Sequence, residues 1–269
     1  MSAAVRREQI EQDRSQAPVQ QGELWTEVDG RRMFARSWTT PYPAPRVVLV
    51  HGLVVSSAYF VPTAELLAAD HSVLAPDQPG FGRSDKPDRT LTVPGLAGAL
   101  IEWFSAAHVA RATVVANSVG CQVAAELAMR RPDLVERLVL AAPTVEPAAR
   151  TVPRIVRRWG QESKTQSREL KKLLLKDYTR AGVPRAIGTL KQALTDRIED
   201  KLPYVTVPTL VVRGTEDPIC TQDWAEEVAR LLPDGGLLTL PGVPHAMNFD
   251  APEQFVDAIG PFMRPGKGR

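Results

Sequence analysis

The feature that most constrains this chain is a set of short apolar runs, bounded by turn residues and alternating with longer segments of helical periodicity. Residues 46–52 (RVVLVHG), 72–77 (SVLAPD), 112–118 (ATVVANS), 137–143 (RLVLAAP), 209–214 (TLVVRG) and 236–242 (GLLTLPG) are rich in Val and Leu without in/out alternation. A strand reads this way when both its faces are covered, as in a parallel sheet with helices on either side. Helical spacing fills the gaps at 64–69, 93–107, 119–131, 224–232 and 252–263. In the second of these Leu96, Leu100, Ile101 and Phe104 share a face, and Pro132 stops the third. The alternation predicts an α/β fold with a mainly parallel central sheet flanked by helices. Ahead of it, GELWTEVDG and RRMFARSW read as a hairpin around Asp29-Gly30.

One stretch breaks the rhythm. Between the runs ending at Pro143 and starting at Thr209 no strand pattern occurs, and 152–159, 167–178 and 184–198 read as helices. An insert of this size is too small for an independent core, so residues 146–199 are expected to form a helical lid on a core built from 21–145 and 200–265. A chain of 269 residues can support that arrangement.

Composition narrows the setting. Hydrophobic residues make up 43% and charged residues 24%, the range of an ordinary globular protein. The net charge of +2 gives the chain as a whole no drive toward nucleic acid or membrane. No apolar window reaches the roughly 18 residues of a membrane span. Residues 1–20 are polar, lack the apolar stretch of a secretory signal, and are expected to be a flexible tail. Cys121 and Cys220 fit neither a disulfide framework nor a metal site and are expected to be reduced and buried. The resulting expectation is a cytoplasmic protein.

The candidate chemistry starts at Ala116-Asn117-Ser118-Val119-Gly120, where a buried run turns directly into a helix. A serine on such a sharp turn projects its hydroxyl at the carboxyl edge of the sheet, and small flanking residues let strand and helix approach closely. A serine in this place could also serve only as a helix N-cap. As a nucleophile it needs a base, and the base needs an orienting acid. The only histidine downstream is His245, in the turn-rich loop Pro241-Gly-Val-Pro-His245 after the last strand. Asp217, directly after TLVVRG, is the acid candidate, and Glu146 is the second choice. The loop His51-Gly52-Leu53 follows the first buried run; the N–H groups of Leu53 and Val119 would form an oxyanion hole, leaving His51 structural.

These residues resemble the α/β-hydrolase superfamily across about 22–263. The elements are His51-Gly52, Asp77-Gln-Pro-Gly-Phe-Gly-Arg-Ser84-Asp85, the elbow at Ser118, Gly214-Thr-Glu-Asp217 and Pro244-His245, in the order Ser, Asp, His. The resemblance implies an α/β-hydrolase fold and a serine hydrolase, monomer or homodimer, that cleaves a carboxylic ester of a small molecule through an acyl-enzyme, with no metal or organic cofactor. The Asn117-Ser118 pair is also similar to the elbow of hydrolases that cleave a carbon–carbon bond of a vinylogous diketone from ring fission. A cofactor-free perhydrolase or lyase, and a ligand-binding relative that retains the triad, remain open. Asn117, Trp159 and Met247 are the expected substrate-lining residues. Residues 150–191 carry twelve basic and three acidic side chains. These either cover a solvated face, bind a carboxylate-bearing substrate through an arginine, or dock an acidic partner such as a carrier protein.

Overall fold

A computed structural model of the chain describes residues 19–264. The expected tail lies outside the described residues except for its last two positions, and Gln20 already belongs to a strand. In chain order the elements are Gln20–Val28 (β1), Arg31–Thr39 (β2), Arg46–Val50 (β3), Val61–Leu67 (α1), Ser72–Pro76 (β4), Val93–Ala106 (α2), Ala112–Asn117 (β5) and Val119–Arg130 (α3). They continue with Val135–Ala141 (β6), Val152–Glu162 (α4), Arg168–Ala181 (α5), Val183–Thr195 (α6), Thr209–Gly214 (β7), Gln222–Leu231 (α7), Gly235–Leu240 (β8) and Pro252–Met263 (α8).

The strands form one eight-stranded sheet in the order β1-β2-β4-β3-β5-β6-β7-β8. β1 and β2 are the antiparallel hairpin around Asp29-Gly30, β2 joins β4 antiparallel, and every pair from β4 to β8 is parallel. This is the mainly parallel α/β architecture that the alternation of apolar runs predicts, in the α/β-hydrolase form that the resemblance implies. The central strands are buried along their length: all six residues of β5 and four of five in β3 are closed to solvent. That is why they carry Val and Leu on both faces. Trp103, Phe104, Leu100 and Leu127 are among the largest fully buried side chains, and α2 packs on α3. α8 packs on α1, and α7 lies on β7 and β8.

Local chemistry sets the helix starts. Thr92, Ser167 and Thr221 accept from the N–H groups of Gly95, Leu170 and Trp224, so each caps a helix whose first amides would otherwise lack partners. Proline at the second helical position opens α1, α2, α4 and α6, where its missing N–H costs nothing. The predicted runs and the observed strands differ mainly at their ends. His51-Gly52, Asp77, Ser118 and Ala142-Pro143 lie beyond the ladders, as loop residues along the carboxyl edge of the sheet. β6 begins two residues earlier than its apolar run, because Val135 pairs with Ala112 before a register shift.

The chain leaves β3 toward β4 on one side and returns to place β5 on the other. Such a reversal opens a crevice outside the strand ends, the usual ligand position in open α/β sheets. The loops that follow β3 and β5 therefore meet at one place. Over this edge lie α4, α5 and α6, the segment expected as a lid. Asp177 of α5 accepts a 2.7 Å hydrogen bond from Ser56, Ala193 of α6 accepts one of 3.0 Å from Gln122, and Arg185 donates to the Pro87 carbonyl at 2.7 Å. Among the described residues no helix is long and apolar enough to cross a membrane.

Candidate active site

Ser118 stands between β5 and α3 with φ 57° and ψ −126°, a left-handed backbone conformation that a side chain with a Cβ rarely adopts. Such a residue costs about 1–3 kcal/mol and persists only where its surroundings fix it. Here the Ser118 amide donates to the Ala141 carbonyl of β6 at 3.0 Å, and its own carbonyl accepts from Cys121 at 2.9 Å. Gly120 lets α3 reach the end of β3: a Cβ there would stand 2.4 Å from the Val50 carbonyl oxygen and 2.8 Å from that of His51. The Ser118 side chain makes no cap bond to its own helix, so the N-cap alternative does not describe it. Ala116, where the elbow usually has a glycine on the strand side, is fully buried within the β5 ladder.

Asp217 and His245 come together from the loops after β7 and β8. Gly214 permits this approach, since a Cβ there would sit 2.0 Å from the Val243 carbonyl. The Glu216 amide bonds the same carbonyl at 3.0 Å, while the Glu216 side chain is exposed. Asp217 is buried; its Oδ1 accepts from the amides of Ile219 (2.7 Å) and Cys220 (3.0 Å). Its Oδ2 lies 2.8 Å from Nδ1 of His245. A carboxylate only accepts, so Nδ1 carries the proton and Nε2 keeps the lone pair of the neutral ring. Burial disfavours a charged His245, but the negative charge of Asp217 and its hydrogen bond outweigh this and hold the imidazole above its ordinary pKa. Glu146 is elsewhere engaged, accepting from Arg158 at 2.8 Å and Thr221 at 3.0 Å.

Ser118 and His245 line one cavity of about 250 Å³, together with Leu53, Val119 and Asn117. The Ser118 hydroxyl makes no hydrogen bond among the described residues, so the contact to the imidazole is open. The pair Asp217–His245 is the part already closed. Val119 is the first residue of α3 and its amide has no intrahelical acceptor. Leu53 lies in the loop opposite. His51 is buried and structural: its Nε2 accepts from the Gln78 amide at 2.9 Å, which places the proton on Nδ1, 3.0 Å from the Gly52 carbonyl.

The expected substrate-lining residues separate. Trp159 lines the cavity. Asn117 also borders it, but its amide is committed: Nδ2 donates to the carbonyls of Ala141 (3.3 Å) and His245 (3.2 Å), and Oδ1 accepts from the Tyr59 hydroxyl at 3.1 Å. It braces the histidine loop. Met247 does not line the cavity; the chain enters a helical turn at Met247–Asp250 that buries its side chain in the core, leaving Ala246 at the wall. Most of the wall is apolar, with Ile155, Trp159, Leu170, Leu174, Leu190 and Ala193 contributed by α4, α5 and α6. None of the twelve basic residues at 150–191 lines it.

A carboxylate in the lining was not anticipated. Glu162, the last residue of α4, is buried and borders the cavity. Ile155, Trp159 and Glu162 are spaced i, i+4 and i+7, one face of a helix, and all three line the wall. That spacing is the sequence signal that marks Glu162, an acid on the inner face of a predominantly basic segment.

Residues 47–258 match the sequence profile of the Alpha/beta hydrolase family. The chain belongs to this family. Among its relatives, an uncharacterized protein of Mycobacterium tuberculosis is 26% identical over 271 residues, covering 86% of this chain and 78% of that protein. The pimeloyl-[acyl-carrier protein] methyl ester esterase of Nitrosomonas europaea is 27% identical over 251 residues, covering 80% and 94%. The crystal structure of a hydrolase from Pseudomonas aeruginosa superposes with a TM-score of 0.76 at 22% identity, covering 91% of this chain and 98% of that one. The family match and these relatives make the protein a hydrolase of this fold; the bond it cleaves is the next question.

Proposed function

We propose that this hydrolase cleaves a carboxylic ester of small or medium size through an acyl-enzyme, with Ser118 as nucleophile, His245 as base and Asp217 as the acid that orients it. The observation that carries the reading is the buried 2.8 Å pair between Asp217 and His245, opening onto the same cavity as a serine on a strained elbow. With Nδ1–H committed to Asp217, Nε2 takes the proton as the Ser118 oxygen bonds to the acyl carbon. The amides of Leu53 and Val119 receive the developing oxyanion, and each such donor is typically worth about 3 kcal/mol. The tetrahedral intermediate collapses when His245 returns the proton to the leaving alcohol. Water then enters by the same route and releases the acid. The open Ser118–His245 contact is compatible with this, since such bonds commonly tighten only when substrate is bound.

Similarity to an esterase that acts on a pimeloyl methyl ester supports ester chemistry. The carbon–carbon alternative calls for a counter-ion to a carboxylated substrate, and among the described residues no arginine or lysine lines the cavity. The test is labelling with a fluorophosphonate, which reacts with an activated serine, alongside turnover of p-nitrophenyl esters of increasing acyl length. Wild type is expected to be labelled and active, and Ser118→Ala to lose both. Labelling that persists in Ser118→Ala rejects the nucleophile. Turnover of a ring-fission dienol with no turnover of any ester rejects the bond assignment.

A further inference from the structure

The wall of the cavity is apolar apart from a few groups, and one of these is an acid that the ester mechanism does not use. Glu162 is only 2% exposed, and both its carboxylate oxygens are closed to solvent without a hydrogen bond of standard geometry. Its neighbours are mixed. The imidazole of His245 and the amides of His245 and Ala246 lie near enough to favour its charge, whereas burial, and then Asp217, disfavour it; burial prevails and its pKa stands above the ordinary carboxylate value. A buried carboxylate with unused acceptors is costly unless a partner supplies donors or charge. Among the described residues no arginine or lysine is supplied to it: the basic side chains of α4 to α6 do not line the cavity, and Arg158, the nearest arginine in sequence, is spent on Glu146 and the Ile219 carbonyl.

We infer that Glu162 is the specificity carboxylate of this cavity, and that its side chain, whose oxygens are turned away from the cavity, swings toward it to receive a protonated amine carried by the substrate while the acyl carbon lies against Ser118. This rests on the ester-hydrolase reading and adds the substrate class. An ammonium brings three donors and the compensating charge, so its bond to a buried carboxylate is of the strong, charge-assisted kind. A substrate carboxylate at the same place would instead meet a like charge with no cation in the wall. The charge preference of the site is therefore opposite to the one the basic surface of residues 150–191 suggests. The two are reconciled by burial: the basic side chains stay in water or, like Arg150 and Arg158, in ion pairs with Glu199 and Glu146, and the charged side chain of this segment that borders the cavity is Glu162.

The experiment uses p-nitrophenyl esters of matched acyl length ending in a methyl, an ammonium or a carboxylate, at several lengths, with wild type and Glu162→Gln. In wild type, kcat/KM is expected to be highest for the ammonium ester at one optimal length, roughly tenfold to a hundredfold above the methyl ester, and lowest for the carboxylate ester. In Glu162→Gln the ammonium-to-methyl ratio should fall to about one. Equal rates for the three esters in wild type, or a preference that survives in Glu162→Gln, overturns the inference. So does an equal loss on all three, the mark of an acid that only braces the His245 loop. Calorimetric binding of the same esters to Ser118→Ala, with and without Glu162→Gln, separates the two levels of argument. If no ester is turned over, tighter binding of the ammonium ester that depends on Glu162 still supports the carboxylate's role, and its absence rejects it.

Discussion

Replacing Gly120 by alanine tests the elbow directly. The added Cβ would stand 2.4 Å from the Val50 carbonyl oxygen and 2.8 Å from the His51 carbonyl oxygen, about 1 Å short of ordinary contact with the nearer one. Both obstacles are backbone atoms at the end of β3 and cannot rotate away, so α3 or the β3 loop must move. Overpacking of this kind costs roughly 1–3 kcal/mol, and backbone obstacles place it near the upper end. The better helix propensity of alanine returns at most about 1 kcal/mol. A net loss of about 2 kcal/mol corresponds to a fall in Tm of roughly 4–8 °C for a chain of this size. A shift near 1 Å also separates the Leu53 and Val119 amides from the Ser118 hydroxyl, and misplacement on that scale costs about a hundredfold in rate. Scanning calorimetry and p-nitrophenyl ester turnover measure the two effects. A variant within about 1 °C and threefold of wild type would refute the close approach of α3 to β3 and, with it, the placing of the oxyanion donors.

Further expectations follow from the same geometry. Because Asp217 holds the His245 pKa above its ordinary value, kcat/KM should fall as pH drops through a midpoint above about 6.5, as the base becomes protonated. Asp217→Asn should move that acid limb downward and lower the rate by several orders of magnitude; an unmoved limb means another group sets it. Asn117→Ala leaves the His245 carbonyl and the Tyr59 hydroxyl without their partner, while the Ala141 carbonyl keeps the Ser118 amide, so urea denaturation should show about 1–3 kcal/mol lost, with a lower kcat. Burial pushes both the Cys121 and Cys220 thiols well above their usual pKa, so a thiol reagent should modify neither in the folded protein and both in denaturant. Fast labelling of the native protein would contradict their burial.

How much of this was legible in the sequence depends on the range of the interaction involved. Covering a strand on both faces requires apolar residues at every position, so the runs in β3 to β7 announce a parallel sheet before any contact is known. The hairpin at Asp29-Gly30 and the prolines and caps at helix starts are set by residues a few positions apart, and they too can be read directly. The Ser118 elbow is local in the same sense, being a strand, a serine and a helix without a linker. The pairing of Asp217 with His245 is less local. It could be proposed from the order of the loops, but the 2.8 Å contact exists because Gly214 lets the β7 loop touch the Val243 carbonyl.

Other features were decided only by the tertiary structure. Met247 and Ala246 are neighbours in sequence, and which one meets the cavity depends on the helical turn that begins between them. Asn117 could have offered its amide to a ligand; Tyr59, Ala141 and His245, drawn from three other segments, consume it instead. The charge of residues 150–191 is the sharpest case. Counting residues gives a basic segment, but a substrate meets only the inward faces of its helices, and there the carboxylate Glu162, not an arginine or lysine, lines the cavity. Composition records which charges a chain carries, and burial selects which of them act at short range in a low dielectric.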